Sequence, residues 1–431
     1  MIKVIKMPRN VIEVLVALSI ISSSFDIFLV INLFGFNFRF TQLVMIPVIL
    51  IWVAGCLNKG EISFPKGMPV LLLWTVIQTF FSFRSPSIKN AVGYDLWLIF
   101  DVMMIFAIHY YCDKAFDKKR LMRIYINSFE FVSIIGLLQF ILYFFGINFY
   151  VTQTWGSRLA RINGFSYEPS FYATYLIMGF ILSSYLLFYK DETCFKYKEL
   201  RRKQLIISLA LFLSSSRMGW LMMAIWFALE TIMELKRLMK TNKVLKKRVW
   251  FILLVIVLLG GILVIMYGYV LSHFDLTFLF NGLGFFGTSS HSSSARINGL
   301  MLSFKIFNDS PFAGYGLGGV DPITAKYMGV TYSTLNNGYS TSIIGDLLIA
   351  SGGLAVFIII VYFCIMIRNS SCRMRIQKAL SAALVFELII LCFNQNILRP
   401  YFWMHLAVMS AFYKPDRMPL RTALKLQKKY L

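Results

Sequence analysis

The stretch 158–203, RLARINGFSYEPSFYATYLIMGFILSSYLLFYKDETCFKYKELRRK, sets the architecture of this chain. Its middle, 170–189, has no charged side chain over twenty residues. That is the length an α-helix needs to cross a hydrocarbon layer of about 30 Å. The two flanks differ. Upstream stand Arg158, Arg161 and Glu168; downstream, 190–203 carries six Lys and Arg. An excess of cations on one flank is the positive-inside signature of a membrane-spanning helix.

The pattern recurs along the chain. Apolar stretches fall at about 11–31, 40–57, 68–83, 91–111, 126–146, 170–189, 204–215, 217–233, 249–271, 340–367, 379–396 and 399–413. With the N-terminus inside, 33 of the 43 Lys and Arg fall in the inner gaps. The ten outer ones are Arg39, Arg84, Lys89, Arg158, Arg161, Arg217, Arg296, Lys305, Lys326 and Arg399. The net charge of +23 is therefore a topology signal and not a nucleic-acid footprint. Apolar residues make up 58% of the chain, and mean hydropathy is +0.69. The expected fold is all-α: one polytopic membrane domain over 1–431, with about twelve spans, both termini cytoplasmic and one long outer loop, 272–339. The stretches 68–83, 204–215 and 399–413 are short for spans. Asp26 interrupts the first stretch, which lacks a small-residue cleavage site and reads as a retained helix.

Several classes are excluded. The longest inner loop has about 15 residues, too few for a nucleotide- or sugar-nucleotide-binding domain. There is no Walker motif, no D-x-D and no 20–50-residue repeat. The six Cys (56, 112, 194, 364, 372, 392) lie mostly toward the reducing inner face, which argues against disulfides. The four His (109, 273, 291, 405) have no metal-ligand spacing, so no metal and no cofactor is expected. Chemistry is left to the membrane or its outer face.

Four outer features can carry it. The first is Arg158-Leu-Ala-Arg161…Gly164-Phe-Ser-Tyr167-Glu168-Pro169, where Glu168 is either a helix-start acid or a general base. The second is Ser214-Ser-Ser-Arg217-Met-Gly-Trp220, which breaks an apolar run. Its Arg either snorkels outward or stands as a fixed cation for a diphosphate. The third is a helical pattern over 295–308, with Ile297, Leu300, Met301, Phe304 and Phe307 on one face and Arg296 in its first turn. It is followed by Pro311-Phe-Ala-Gly314-Tyr-Gly316-Leu-Gly318-Gly319. Arg296 reads alternatively as a solvated charge, and the glycines as a turn whose N–H groups approach a ligand. The fourth is Asn336-Asn-Gly-Tyr339 with Asp346. Glu387 and Asp101, nearer mid-membrane, read equally as structural partners.

In this order the motifs resemble the O-antigen polymerase and O-antigen ligase superfamily over about 155–355. The resemblance implies a metal-independent membrane glycosyltransferase of the C type, acting on undecaprenyl-diphosphate-linked glycans at the outer face of a bacterial inner membrane. Arg217, Arg296, Gly314, Gly316 and Gly318 match family positions. Ligase-type members carry a His-Asn pair after the loop; here Asn336-Asn337 stands there, which favours a polymerase. The implied partners are a lipid-linked oligosaccharide donor and acceptor, membrane lipids, a chain-length regulator and a flippase, with no nucleic acid. Glu168, Arg217 and Arg296 are the expected catalytic residues. Arg158, Arg161, Tyr167, Gly314, Gly316, Gly318, Asn336, Tyr339 and Asp346 are expected to bind substrate, with Tyr167, Tyr339 and Asp346 as lesser candidates for the base. A ligase acting on a lipid A core acceptor and a non-enzymatic oligosaccharide flippase are the alternatives.

Overall fold

The computed structural model describes residues 9–33, 36–114, 117–155, 159–241, 290–331, 342–370, 374–394, 397–413 and 416–419. It is mostly helical. In chain order the α-helices are α1 (Arg9–Ile21), α2 (Phe40–Lys59), α3 (Met68–Ser82), α4 (Ile88–Lys114), α5 (Lys118–Phe144), α6 (Pro169–Phe188), α7 (Tyr197–Leu213) and α8 (Arg217–Thr241). Then follow α9 (Ser290–Asp309), α10 (Val320–Met328), α11 (Ile343–Ser370), α12 (Arg375–Asn394) and α13 (Pro400–Ala411). Three short antiparallel ribbons join loops: Ile31–Leu33 with Phe36–Phe38, Glu61–Phe64 with Asp416–Pro419, and Gln153–Trp155 with Leu159–Arg161. Seven of the described helices are long and apolar enough to cross a membrane: α2, α4, α5, α6, α8, α11 and α12. The chain is an integral membrane protein. The expected stretch 249–271 and the first part of the outer loop lie outside the described residues.

Local chemistry sets the ends. Asp117 caps α5 by accepting from the Lys119 N–H at 2.8 Å. Gly60, left-handed at φ 64°, closes α2. Pro169 and Pro400 open α6 and α13, where a missing N–H costs nothing. The first helix stops well short of residue 31: α1 ends at Ile21, a single 3-10 turn covers Ser22–Ser24, and Asp26 is outside it. Helix α13 is only twelve residues, about 18 Å long and below a full span. All twelve are buried, so it is an interior helix packed on α4 rather than a lipid-facing one.

The loop contacts sort into two sets that never mix among the described residues. At one end Asp26 meets the 165–167 segment and Arg399, and Arg84 meets Ala313. At the other, Arg120 meets Glu13, Arg375 meets Tyr189, and 61–64 pairs with 416–419. The first set lies where the charge pattern expects the outer face, the second where it expects the inner face. Helix α6 is buried on nearly every face, between α5, α7, α8 and α12. Its head, at Glu168, is thus fixed at the end of the molecule that carries Asp26, Arg84 and Arg399.

Helix α11 is broken. Gly352 has φ 62° and ψ 173°, which no helix contains. The break frees the carbonyls of Ile349 and Ala350 about 10 Å along the helix, a depth at which an unpaired carbonyl is expensive. The Tyr315 and Gly316 N–H groups donate to them, each at 3.0 Å, and Gly353 N–H donates to the Pro311 carbonyl at 2.7 Å.

Candidate active site

The N-terminal end of α6 gathers three charges from three elements. Arg161 ends the 153–161 ribbon, Glu168 precedes α6, and Arg217 opens α8. Arg161 donates to Gln153 Oε1 at 2.8 Å and to the Ser215 carbonyl at 3.3 Å, while its Nε is buried without a hydrogen bond. Burial lowers the Arg161 guanidinium below its ordinary pKa; Glu168 opposes that shift and Arg217 adds to it. The three side chains therefore share one electrostatic environment with an excess of positive charge. Arginine keeps its proton under such shifts and presents forked donors that suit phosphate oxygens.

The segment between Arg161 and Glu168 is pinned by Gln139 of α5. Its Oε1 accepts from the N–H groups of Asn163 (3.2 Å) and Gly164 (2.8 Å), and its Nε2 donates to the Phe149 carbonyl at 3.0 Å. Gly164 is left-handed at φ 55°, and a Cβ there would lie 2.8 Å from the Tyr172 ring. Glu168 is half-buried. As the residue before α6 it makes no side-chain capping bond; its Oε2 accepts from Ser170 Oγ at 3.0 Å instead. The helix-start reading of Glu168 thus lacks the bond that would make it a cap.

A second brace lies behind Tyr167. Asp26 Oδ1 accepts from Arg39 Nε at 3.1 Å and from Arg399 Nη1 at 3.0 Å, and its Oδ2 accepts from the Tyr167 N–H at 3.3 Å. The Arg399 guanidinium stands 4.0 Å from the centroid of the Phe171 ring. Sequence reading treated Asp26 only as an interruption and left Arg39 and Arg399 unexplained. The signal available was that both arginines directly precede a helix at its outer end.

The Ser214–Trp220 break is a tight turn. Ser215 is left-handed at φ 58°, Ser214 Oγ donates to the Leu211 carbonyl at 2.6 Å, and Trp220 Nε1 donates to the Phe212 carbonyl at 2.9 Å. Trp220 stacks on Phe212 with centroids 5.1 Å apart. Gly219 lets α8 approach α6, since a Cβ would sit 3.2 Å from Ala173 Cβ.

Residues 204–360 match the family model described as O-antigen ligase. This match supports the O-antigen ligase and polymerase superfamily. Neither a curated protein nor a solved structure matches the chain. The family region starts within α7 and holds the Arg217 turn, α9, the glycine turn and the α11 break. Members of this superfamily are membrane glycosyltransferase-like enzymes. Arg161 and Glu168 lie just ahead of the matched region.

Within this O-antigen ligase region two expectations change. Helix α9 begins at Ser290, so Arg296 stands in its second turn and not its first. Its buried side is Gly299, Ser303 and Ile306, whereas Ile297, Met301 and Phe304 are exposed. These three face away from the protein, while Phe307 reaches toward Gly353; Gly299 and Ser303 beside Ile306 let α9 lie against α11.

The glycine turn also differs from a ligand cradle. A Cβ on Gly314 would fall 1.9 Å from the Ala350 carbonyl oxygen, one on Gly316 2.2 Å from Ser82 Oγ, and one on Gly318 2.5 Å from the Asn90 carbonyl oxygen. These glycines let the turn sink between α3, α4 and the broken α11. The N–H of Gly316 is taken by Ala350. Arg84 holds the turn from above, donating to the Ala313 carbonyl at 2.8 Å with its guanidinium 5.1 Å from the Tyr315 ring centroid. Beside it opens a hollow of about 530 Å³ lined by Arg84, Pro86, Tyr315, Ile323, Lys326 and Tyr327. Asp346 is buried in the first turn of α11, and Tyr167 is half exposed above Glu168. Arg158, Asn336 and Tyr339 lie outside the described residues.

Proposed function

We propose that this chain is a polysaccharide polymerase. It moves a glycan from undecaprenyl diphosphate to the non-reducing end of a second lipid-linked repeat unit, at the outer face of the inner membrane. The observation that carries the reading is the convergence of Arg161, Glu168 and Arg217 at the outer end of α6. The small inner loops direct the reading to a lipid-linked donor. About twelve spans with both termini inside complete the proposed topology.

The chemistry follows from those charges. The acceptor hydroxyl oxygen bonds to the anomeric carbon of the donor as the bond from that carbon to the phosphate oxygen breaks. The electron pair leaves with the diphosphate, where Arg217 and Arg161, joined by Arg296, stabilise the growing charge. The hydroxyl proton passes to Glu168. The hollow beside Tyr315, with two tyrosines and two cations, suits a hydrated anionic glycan. The family description itself favours a second reading, transfer to a final acceptor as in a ligase. Incubating the purified protein with a lipid-linked repeat unit alone separates the two. A ladder of lengthening products supports polymerisation; product only when a distinct final acceptor is added supports ligation; neither product removes both.

A further inference from the structure

At the inner end, far from Glu168, the last turns of α6 and α8 and the start of α12 enclose a hollow of about 580 Å³. Its rim carries Lys190, Lys236, Arg237 and Arg375, and its walls include Phe188, Tyr189 and Met233. Arg375 is already placed: Nη1 donates to the Tyr189 carbonyl at 2.8 Å. Glu234 sits 3.9 Å from Arg237, and both side chains are exposed. Lys190 is left-handed at φ 48°, which turns the chain sharply where α6 ends.

The surroundings fix the depth. Tyr189 lies 4.7 Å from Tyr185 and 5.0 Å from Phe188, ring to ring, and Tyr185 lies 6.2 Å from Trp226. Clustered Tyr and Trp mark the headgroup level of a bilayer. From the hollow, α8 runs away through exposed Ile232, Leu229 and Ile225. Only 17% of its apolar window is buried, the lowest share of the seven candidate spans. A cationic rim, an aromatic collar and an apolar track leading from it form one amphipathic surface.

We propose that this hollow binds an anionic phospholipid of the cytoplasmic leaflet, its phosphate diester on Lys190, Lys236, Arg237 and Arg375 and its acyl chains along α8. A soluble phosphate would use the cations but not the track. A zwitterionic phospholipid would use the track but gain little from the excess charge.

The test uses the full chain in detergent, with bound lipid counted by native mass spectrometry and affinity measured by lipid titration. Phosphatidylglycerol or cardiolipin should stay bound, phosphatidylcholine should not, and inorganic phosphate at millimolar concentration should not displace the lipid. Lys190→Gln with Lys236→Gln and Arg237→Gln should weaken binding by roughly 100-fold, at about one surface charge-lipid interaction per residue. Arg375 is spared because it holds Tyr189. Lys89→Gln, at the opposite end, should change nothing. Equal retention of phosphatidylcholine, displacement by phosphate, or a triple variant within threefold of the native chain overturns the assignment. Should the triple variant not fold, the headgroup comparison on the native chain decides alone. None of these readouts depends on glycan transfer.

Discussion

Arg161 donates from Nη2 to the carbonyl of Ser215 at 3.3 Å, and Ser215 holds a left-handed backbone at φ 58°. That conformation costs a non-glycine residue about 1–2 kcal/mol. It aims a carbonyl that would otherwise continue the helix at a guanidinium 54 positions earlier. The bond ties the ribbon carrying Arg161 to the turn carrying Arg217, so the two cations keep a fixed separation.

Replacing Arg217 by Lys keeps the charge and loses the fork. Transfer should fall by at least about 100-fold, the scale of removing one preorganised donor to a developing negative charge. Donor turnover in proteoliposomes, beside a melting curve, checks this. A folded Arg217→Ala variant that still makes full-length polymer rules out the diphosphate clamp.

Glu168→Gln keeps the shape and removes the proton acceptor. Turnover should drop by about 100-fold or more while donor affinity holds. A helix-start acid alone would cost only about 0.3–1 kcal/mol of stability. Single-turnover rates beside donor titration separate the two, and near-normal turnover would shift the base to Asp346 or Tyr339.

Asp26→Asn leaves Arg39 and Arg399 facing each other without their shared acid. The Asp26 side chain is 6% exposed, so the loss should be that of breaking a buried pair, about 3–5 kcal/mol. The melting temperature should fall and proteolysis near Tyr167 should rise. An unchanged melt would show that the brace is dispensable.

Two left-handed glycines make a paired test. Gly316, at φ 70°, has Ser82 Oγ 2.2 Å from an added Cβ; Gly329, at φ 69°, has open space. Gly329→Ala should cost about 1–2 kcal/mol, the backbone share alone. Gly316→Ala adds overpacking of about 1–3 kcal/mol and should melt lower. Equal melts would mean that the turn is not wedged as described.

In a cysteine-free background, Lys89→Cys and Lys326→Cys should react with a membrane-impermeant maleimide in intact cells, and Lys66→Cys and Lys190→Cys only after lysis. The reverse pattern would place the Arg161–Glu168–Arg217 group inside.

Seven apolar stretches were legible as candidate spans because hydropathy reports directly on helices long enough to cross a membrane. The Arg161–Glu168 and Ser214–Trp220 motifs were legible because charges and turn residues interrupt apolar runs there. The packing of the glycine turn was hidden for a physical reason. Its N–H groups answer carbonyls released some 35 positions later by Gly352, and no local pattern says whether a free donor meets a ligand or a distant carbonyl. The Asp26 brace was hidden similarly, because Arg399 lies 373 positions away. The start of α9 was misplaced because Ser290–Ser294 carry no apolar residue to mark the helix.

The docking of 311–319 into the α11 break bears on how the protein is made. The chain emerges from the N-terminus, so on the proposed topology the turn reaches the outer side before α11 enters the bilayer. The broken helix therefore meets its missing hydrogen-bond donors on arrival instead of waiting in lipid with two bare carbonyls. Chimaeras between chains of this kind should inherit 311–319 and 342–354 from the same parent, because a junction between them would separate a helix from the donors that complete it.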